Sequence, residues 1–177
     1  STFGEADKIR AYNPLTRVPT LVLDDGDVIV DSASIFDHID SLVPADKALH
    51  PREEPARRRS LKISALATGL ADKSVALFYE LHLHETPSKP WVERCERQIR
   101  DTLAALEAER AARTTPCWFG ERIGHADIAV AASIRHMSDS HPHLAGLDGC
   151  PALRAHCERL EALPVFQEIS QPFIPPS

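Results

Sequence analysis

Asp31 and Ser32 are the residues whose types and position most directly indicate chemistry in this chain. They follow the apolar run at residues 28–30 and precede a helical pattern at residues 33–42. Asp or Ser at such a point can cap the helix. A helix that begins at the end of a strand also offers free backbone N–H groups and a positive dipole end, which favour a carboxylate or phosphate. The sequence therefore predicts an anion site in outline, although a simple helix cap accounts for the same two residues.

Two short strands and a turn must position this helix start. Residues 18–23 form a β-rich run, Asp24-Asp25-Gly26-Asp27 has turn chemistry, and residues 28–30 form the second run. A linker follows at about residues 43–55, and the remaining patterns are helical, at residues 56–84, 91–112, 127–138, 151–162 and 164–171. An interruption of the first long helix near Gly69 is left open. Two strands followed only by helices indicate a small α/β piece and a helical domain.

Composition narrows the function classes. The 177 residues carry a formal net charge of −6, which argues against nucleic acid or an anionic membrane as a general partner. No run of about 18 apolar residues indicates a membrane span. The four cysteines lie far apart without a C-x-x-C pair, which is typical of free thiols in a reducing, cytoplasmic setting. The histidines match no zinc spacing, so we expect solvated or capping histidines and no metal.

Three groups of residues carry a family resemblance. Asn13-Pro14-Leu15, Arg17-Val18-Pro19-Thr20-Leu21 and Asp31-Ser32 resemble, in order and spacing, the second half of the N-terminal domain of bacterial-type glutathione S-transferases. Residues 123–129 resemble the segment before that family's central buried helix, and residues 151–165 resemble its penultimate helix and terminating proline. The resemblance implies an α/β plus all-α fold. A partial thioredoxin-like domain at residues 1–45 would bind glutathione, and an all-helical C-terminal domain would follow at residues 46–177.

The resemblance also implies a glutathione site formed by Arg17, Val18, Pro19, Asp31 and Ser32. The bond before Pro19 would be cis, with the Val18 backbone turned toward the cysteinyl part of glutathione. Ser32 would hold the γ-glutamyl carboxylate through its hydroxyl and backbone N–H. The family usually has Glu or Gln at the position of Asp31, so capping remains an alternative for that side chain. Arg17 would approach the glycyl carboxylate, and an exposed loop arginine is an equal alternative.

The activity implied by the resemblance is attack of the glutathione thiolate on a small electrophilic substrate. Glutathione would be the co-substrate, no metal would take part, and the protein would act in detoxification as a cytoplasmic homodimer. In the family, a preceding strand, helix and strand carry the Ser, Tyr or Cys that activates the thiol. We expect that residue upstream of Ser1, so the catalytic residue is unknown. Two alternatives stay open: a glutathione-dependent thiol–disulfide reductase or isomerase, and a non-catalytic binding or regulatory protein on the same scaffold.

Asp127 precedes the most apolar helical pattern of the chain, and we predict a structural role for it. An isolated buried carboxylate would be costly there. The resemblance implies that Asp127 ties the helix to the preceding loop, opposite a Ser or Thr three residues earlier. That position is Gly124, which is an acceptable N-cap but offers no side chain. We therefore expect stability, and not catalysis, to depend on Asp127.

Overall fold

The computed structural model describes residues 6–144 and 147–175. These residues fall into two compact units. One contains the described residues up to Leu49 together with Ile174 and Pro175, and the other spans His50–Phe173. The division into domains at residues 45 and 46 stays a prediction.

The first unit contains a helix, a two-stranded hairpin and a second helix, in the order expected for part of a thioredoxin-like domain. Helix α1 spans Ala6–Arg10, strands β1 and β2 span Thr20–Val22 and Val28–Val30, and helix α2 spans Ser32–Ser41. The strands pair antiparallel, and Gly26 supplies the positive φ of 91° that the connecting turn requires. The predicted first strand at residues 18–23 is too long, because the ladder begins only at Thr20.

The second unit is all helical, as predicted. Its helices are α3 (Ala56–Leu83), α4 (Lys89–Ala111), α5 (His125–Ser140), α6 (Pro151–Glu161) and α7 (Pro164–Ile169), with a short 3₁₀ turn at Leu147–Gly149. Helix α3 continues through Gly69 without interruption. Helix α4 begins two residues before the predicted start, because Pro90 is accommodated in its first turn.

The core of the helical unit surrounds α5. This helix packs against α3 and α6, and its side chains are buried on most of its circumference, as its apolar pattern predicts. The buried hydrophobic side chains of α3 to α6 include Ile63, Leu70, Leu77, Ile99, Leu106, Val130, Met137, Leu153 and Leu160. The apolar pattern overstates burial at Leu61, Leu81 and Trp91, which are exposed.

Some polar residues lie deeper than their sequence context indicates. His141 is buried, and one of its ring nitrogens, Nε2, lies 2.8 Å from the Ser74 carbonyl oxygen, so it is not a solvated histidine. The cysteines are free thiols, and only Cys150 among them is partly exposed. No group of three His, Cys, Asp or Glu side chains in residues 6–144 and 147–175 is arranged to hold a metal. No helix in the described part of the chain is long and apolar enough to cross a membrane.

Candidate functional site

A buried asparagine holds the loop that leads into β1. Asn13 is only 2% exposed. Its Nδ2 donates to the Arg17 carbonyl oxygen at 3.0 Å and to Thr20 Oγ1 at 3.1 Å, and its Oδ1 accepts the Leu15 N–H at 3.0 Å. Thr20 Oγ1 in turn donates to the same Arg17 carbonyl at 2.9 Å. One side chain therefore fixes the backbone on both sides of Val18 and Pro19.

The Val18–Pro19 peptide bond is cis, as the resemblance implies. The Val18 side chain is 61% exposed, and Pro19 is exposed as well. No hydrogen bond to the Val18 backbone is formed within residues 6–144 and 147–175. The Val18 N–H and C=O are thus available to an extended ligand at the start of the strand. A second cis bond, Glu54–Pro55, has no counterpart in the sequence predictions.

The strand register brings the predicted site residues to one end of the hairpin. Thr20 pairs with Val30, so the residues just before β1 and just after β2 lie at the same end of the antiparallel hairpin. Val18 and Pro19 lie on one side of this hairpin end, and Asp31 and Ser32 lie on the other. Arg17 precedes them on an exposed part of the loop.

Asp31 acts as the N-cap of α2. Its Oδ1 accepts the Ala33 N–H at 2.8 Å. Its backbone has φ 75° and ψ 138°, which is a sparsely populated conformation for a residue other than glycine. Such strain costs of order 1–3 kcal/mol and persists only where surrounding structure enforces it. The backbone therefore turns sharply into the helix at the residue before Ser32.

Ser32 is the first residue of α2 and is half-buried. Neither its hydroxyl nor its N–H has a protein hydrogen-bond partner in the described residues. The positive end of the helix dipole lies at the same point. These groups form the kind of anion-binding arrangement that the sequence predicts at Asp31 and Ser32.

Asp127 occupies a separate, buried position in the helical unit. Its Oδ1 accepts the Trp118 N–H at 2.8 Å and its Oδ2 accepts the Gly124 N–H at 2.9 Å. His156 Nε2 lies 3.3 Å from Oδ1, and both side chains are about 1% exposed. Asp127 thus ties the start of α5 to two loop residues, as predicted. Trp118 lies nine residues before Asp127 and His156 lies on α6, and no local sequence pattern indicates either contact.

Family comparisons agree with this architecture. Residues 1–48 match the model of the glutathione S-transferase N-terminal domain, and residues 89–159 match that of the C-terminal domain. A glutathione transferase family member from Pseudomonas fluorescens, solved with bound glutathione, is 32% identical. The match covers 95% of this chain and 80% of that one, with a TM-score of 0.82. The chain belongs to the glutathione S-transferase family.

Two further relatives share less sequence identity with this chain. A glutathione S-transferase from Methylobacterium radiotolerans, solved with glutathione sulfonate, is 26% identical over 100% of this chain and 84% of that one, with a TM-score of 0.87. An uncharacterized GST-like protein of Escherichia coli, YibF, is 28% identical over 131 residues. That match covers 73% of this chain, and the chain spans only 63% of the length of this curated relative.

Proposed function

We propose that the protein binds glutathione at this hairpin end and transfers its thiolate to a small electrophilic substrate. The observation that carries the proposal is that, within the described residues, neither the backbone of the exposed Val18 nor the N–H and hydroxyl of the half-buried Ser32 has a hydrogen-bond partner. Relatives solved with glutathione or glutathione sulfonate support the choice of ligand.

The γ-glutamyl end of glutathione is a zwitterion, and α2 begins with groups of matching polarity. The Ser32 hydroxyl and N–H donate to the carboxylate, aided by the helix dipole. Asp31 uses Oδ1 for its cap on Ala33 and turns its other oxygen to the ammonium group. Asp31 would then both shape the helix start and contact the ligand.

The remainder of glutathione follows the loop. The Val18 N–H and C=O pair with the cysteinyl backbone as a neighbouring strand would. Pro19 fixes the direction in which those two groups point, and Arg17 attracts the glycyl carboxylate. This arrangement holds the tripeptide by backbone and charge while its sulfur remains exposed to a second substrate.

The chemical step is formation of a carbon–sulfur bond by the glutathione thiolate as the electrophile releases its leaving group. A thiol has an ordinary pKa of about 8.5, so activation requires a hydrogen bond or charge that stabilises the thiolate. That a Ser, Tyr or Cys side chain provides it stays a prediction. The proposal includes a cytoplasmic homodimer with a role in detoxification.

Titration calorimetry with glutathione tests the binding site. We expect Ser32→Ala to weaken binding about tenfold or more, because it removes a hydrogen bond to a charged carboxylate. Ser34→Ala is the matched control, since it makes the same change two residues later at an exposed position of α2. Equal affinities for both variants, or no heat with glutathione at all, would contradict the proposed site.

Two rate measurements separate the proposed reaction from the alternatives. Glutathione is supplied first with an activated aryl halide and then with a mixed disulfide of glutathione. We expect the protein to accelerate thioether formation more than disulfide reduction. Faster disulfide reduction would favour the hypothesis of a thiol–disulfide reductase. Glutathione binding without either reaction would favour a non-catalytic protein.

A further inference from the structure

Three arginines of the helical unit converge on one concave site. Arg110 lies near the end of α4, Arg113 follows that helix, and Arg159 lies on α6. Together they line a cavity of about 390 Å³, which we call the arginine cavity. The other lining residues are Ala111, Thr114, Thr115, Pro116, Ala152, Ala155 and His156. A cluster of three cations is unexpected in a chain whose net charge is −6.

The arginines organise the loop that forms one wall of the cavity. Arg110 donates to the carbonyl oxygens of Thr115 and Cys117, and Arg159 donates to that of Pro116. Arg113 Nε donates to the Trp118 carbonyl at 3.0 Å, and its Nη1 bonds to Glu109. A guanidinium has five N–H donors. Within the described residues, each of the three arginines spends two or three donors on protein acceptors, so each retains others for a ligand.

Carboxylates do not balance this charge. Glu109 lies 3.0 Å from Arg113 but is shared with Lys62, whose Nζ lies 2.8 Å away. Asp127 and Glu107 are the other acids near the cavity, and each accepts two backbone N–H groups. Burial lowers the pKa of Arg110, the positive charges of Arg159 and Arg113 lower it further, and the Asp127 carboxylate opposes these effects. The three arginines and Lys62 therefore outnumber the carboxylates of Glu107, Glu109 and Asp127 by one.

Arg159 contacts a buried histidine on its own helix. A guanidinium can only donate, so Arg159 Nη2 donates to His156 Nδ1 at 3.1 Å. His156 is 3% exposed, and its Nε2 lies 3.3 Å from Asp127 Oδ1 without a hydrogen bond between them. Contact with this buried ring restricts the Arg159 side chain before any ligand arrives, which reduces the entropy lost on binding.

We propose that the arginine cavity binds a small anion that carries two or more negative charges on phosphate or carboxylate groups. Guanidinium forks match the geometry of these groups and hold them by paired, charge-assisted hydrogen bonds. The volume falls near the lower end of the range of about 300–1,000 Å³ for small-molecule sites. The ligand is accordingly a compact metabolite-sized polyanion. This site lies wholly within the helical unit and is separate from the proposed glutathione site.

Titration of the whole protein with pyrophosphate at low ionic strength tests this proposal, with citrate as the carboxylate counterpart. We expect saturable binding of at least one of them, and Arg159→Gln should weaken it about tenfold or more, since one charged contact is lost. Arg154→Gln is the matched control. It removes the same charge from the same helix, but Arg154 bonds to Leu147 and Asp148 and does not line the cavity.

Three results would overturn the proposal. They are the absence of saturable binding by either anion, equal weakening by both variants, and loss of binding when the protein is saturated with glutathione. The last would mean that the anion occupies the glutathione site. Circular dichroism confirms that each variant is folded, and Arg113→Gln replaces Arg159→Gln if the latter unfolds. The anion that binds more tightly shows whether the cavity prefers phosphate or carboxylate groups.

Discussion

Replacement of Asp127 by alanine should cost a large part of the stability of this protein. The carboxylate is 1% exposed and accepts two backbone N–H groups, from Trp118 and Gly124, at 2.8 and 2.9 Å. A hydrogen bond to a charged group contributes about 1.5–3 kcal/mol net, so loss of both predicts a destabilisation of about 3–6 kcal/mol. Domains are stable by only about 5–15 kcal/mol in total.

Asp127→Asn should be the milder change. The amide oxygen can accept one of the two N–H groups, but the amide NH₂ then faces the other donor and His156 Nε2. Roughly half of the alanine effect is expected, about 1.5–3 kcal/mol, because one bond survives. The predicted order of stability is therefore wild type, then asparagine, then alanine.

Urea unfolding measures this prediction. Circular dichroism and tryptophan fluorescence follow the transition at one protein concentration, because any association would make stability depend on concentration. The midpoint should fall in both variants while the slope with urea stays constant. A changed slope would indicate that the compactness of the folded or unfolded state had changed as well.

Asp148→Asn is the control for loss of a carboxylate. The Asp148 side chain is 95% exposed and pairs with Arg154 at the surface, so its loss should change stability by no more than about 0.5 kcal/mol. An Asp127→Ala variant that unfolds within about 1 kcal/mol of wild type would refute the reasoning. The two loop N–H groups would then have to find water or other acceptors at no cost.

Three other outcomes are expected. Asn13→Ala removes three hydrogen bonds around Val18 and Pro19. It should lower the free energy of unfolding, measured in urea, by about 1–3 kcal/mol and weaken glutathione binding, measured by calorimetry. Unchanged glutathione affinity would show that this loop does not contact the ligand. Burial lowers the pKa of His136 and of His141, so the folded state binds fewer protons than the unfolded state. Stability should be complete above about pH 6.5, the unfolded value, and should fall as the pH drops below it toward the folded values; a urea midpoint that does not decline between pH 8 and 5 would contradict this. Burial raises the pKa of the Cys157 thiol to about 12, so iodoacetamide at pH 8 should label it by mass spectrometry only after unfolding, and rapid native labelling would show that the thiol is accessible.

The helical part of the fold follows from hydrophobic periodicity. The nearly continuous apolar pattern of α5 predicts burial, and the helix lies at the centre of the helical core. The same pattern predicts a start at Asp127, whereas the helix begins at His125. The difference arises because Gly124 caps the helix with its backbone alone, which leaves no polar side chain in the sequence to mark the start.

Strand limits were less predictable than helix limits. The run at residues 18–23 is uniformly β-rich, but hydrogen bonding between strands begins only at Thr20. Pro19 has no N–H to donate to a ladder, which agrees with this limit. The limit also depends on the backbone of the preceding loop, which Asn13 holds by hydrogen bonds to residues four and seven positions later.

The candidate site shows the same division between residues that a motif reveals and residues that only the structure reveals. Val18, Pro19, Asp31 and Ser32 form a motif because short local segments shape them. Other residues support such segments from distant parts of the chain, and their spacing in the sequence follows no recognisable pattern. Glu107 of α4, for example, accepts the N–H groups of Ala152 and Leu153 at 3.0 and 2.8 Å and so caps the start of α6.

Buried polar side chains fix the loops of both units mainly by bonding to backbone groups. Asn13 does so before β1, where it also bonds to the Thr20 hydroxyl, and Asp127 does so before α5. Because most of the acceptors and donors they satisfy belong to the backbone, the identities of most loop residues are weakly constrained. The proposed ligand contacts at Val18 and Ser32 likewise use backbone groups. Substitution of the buried anchor should therefore disturb the site more than substitution of an exposed neighbour such as Leu15, even though the neighbour lies closer in sequence to Val18.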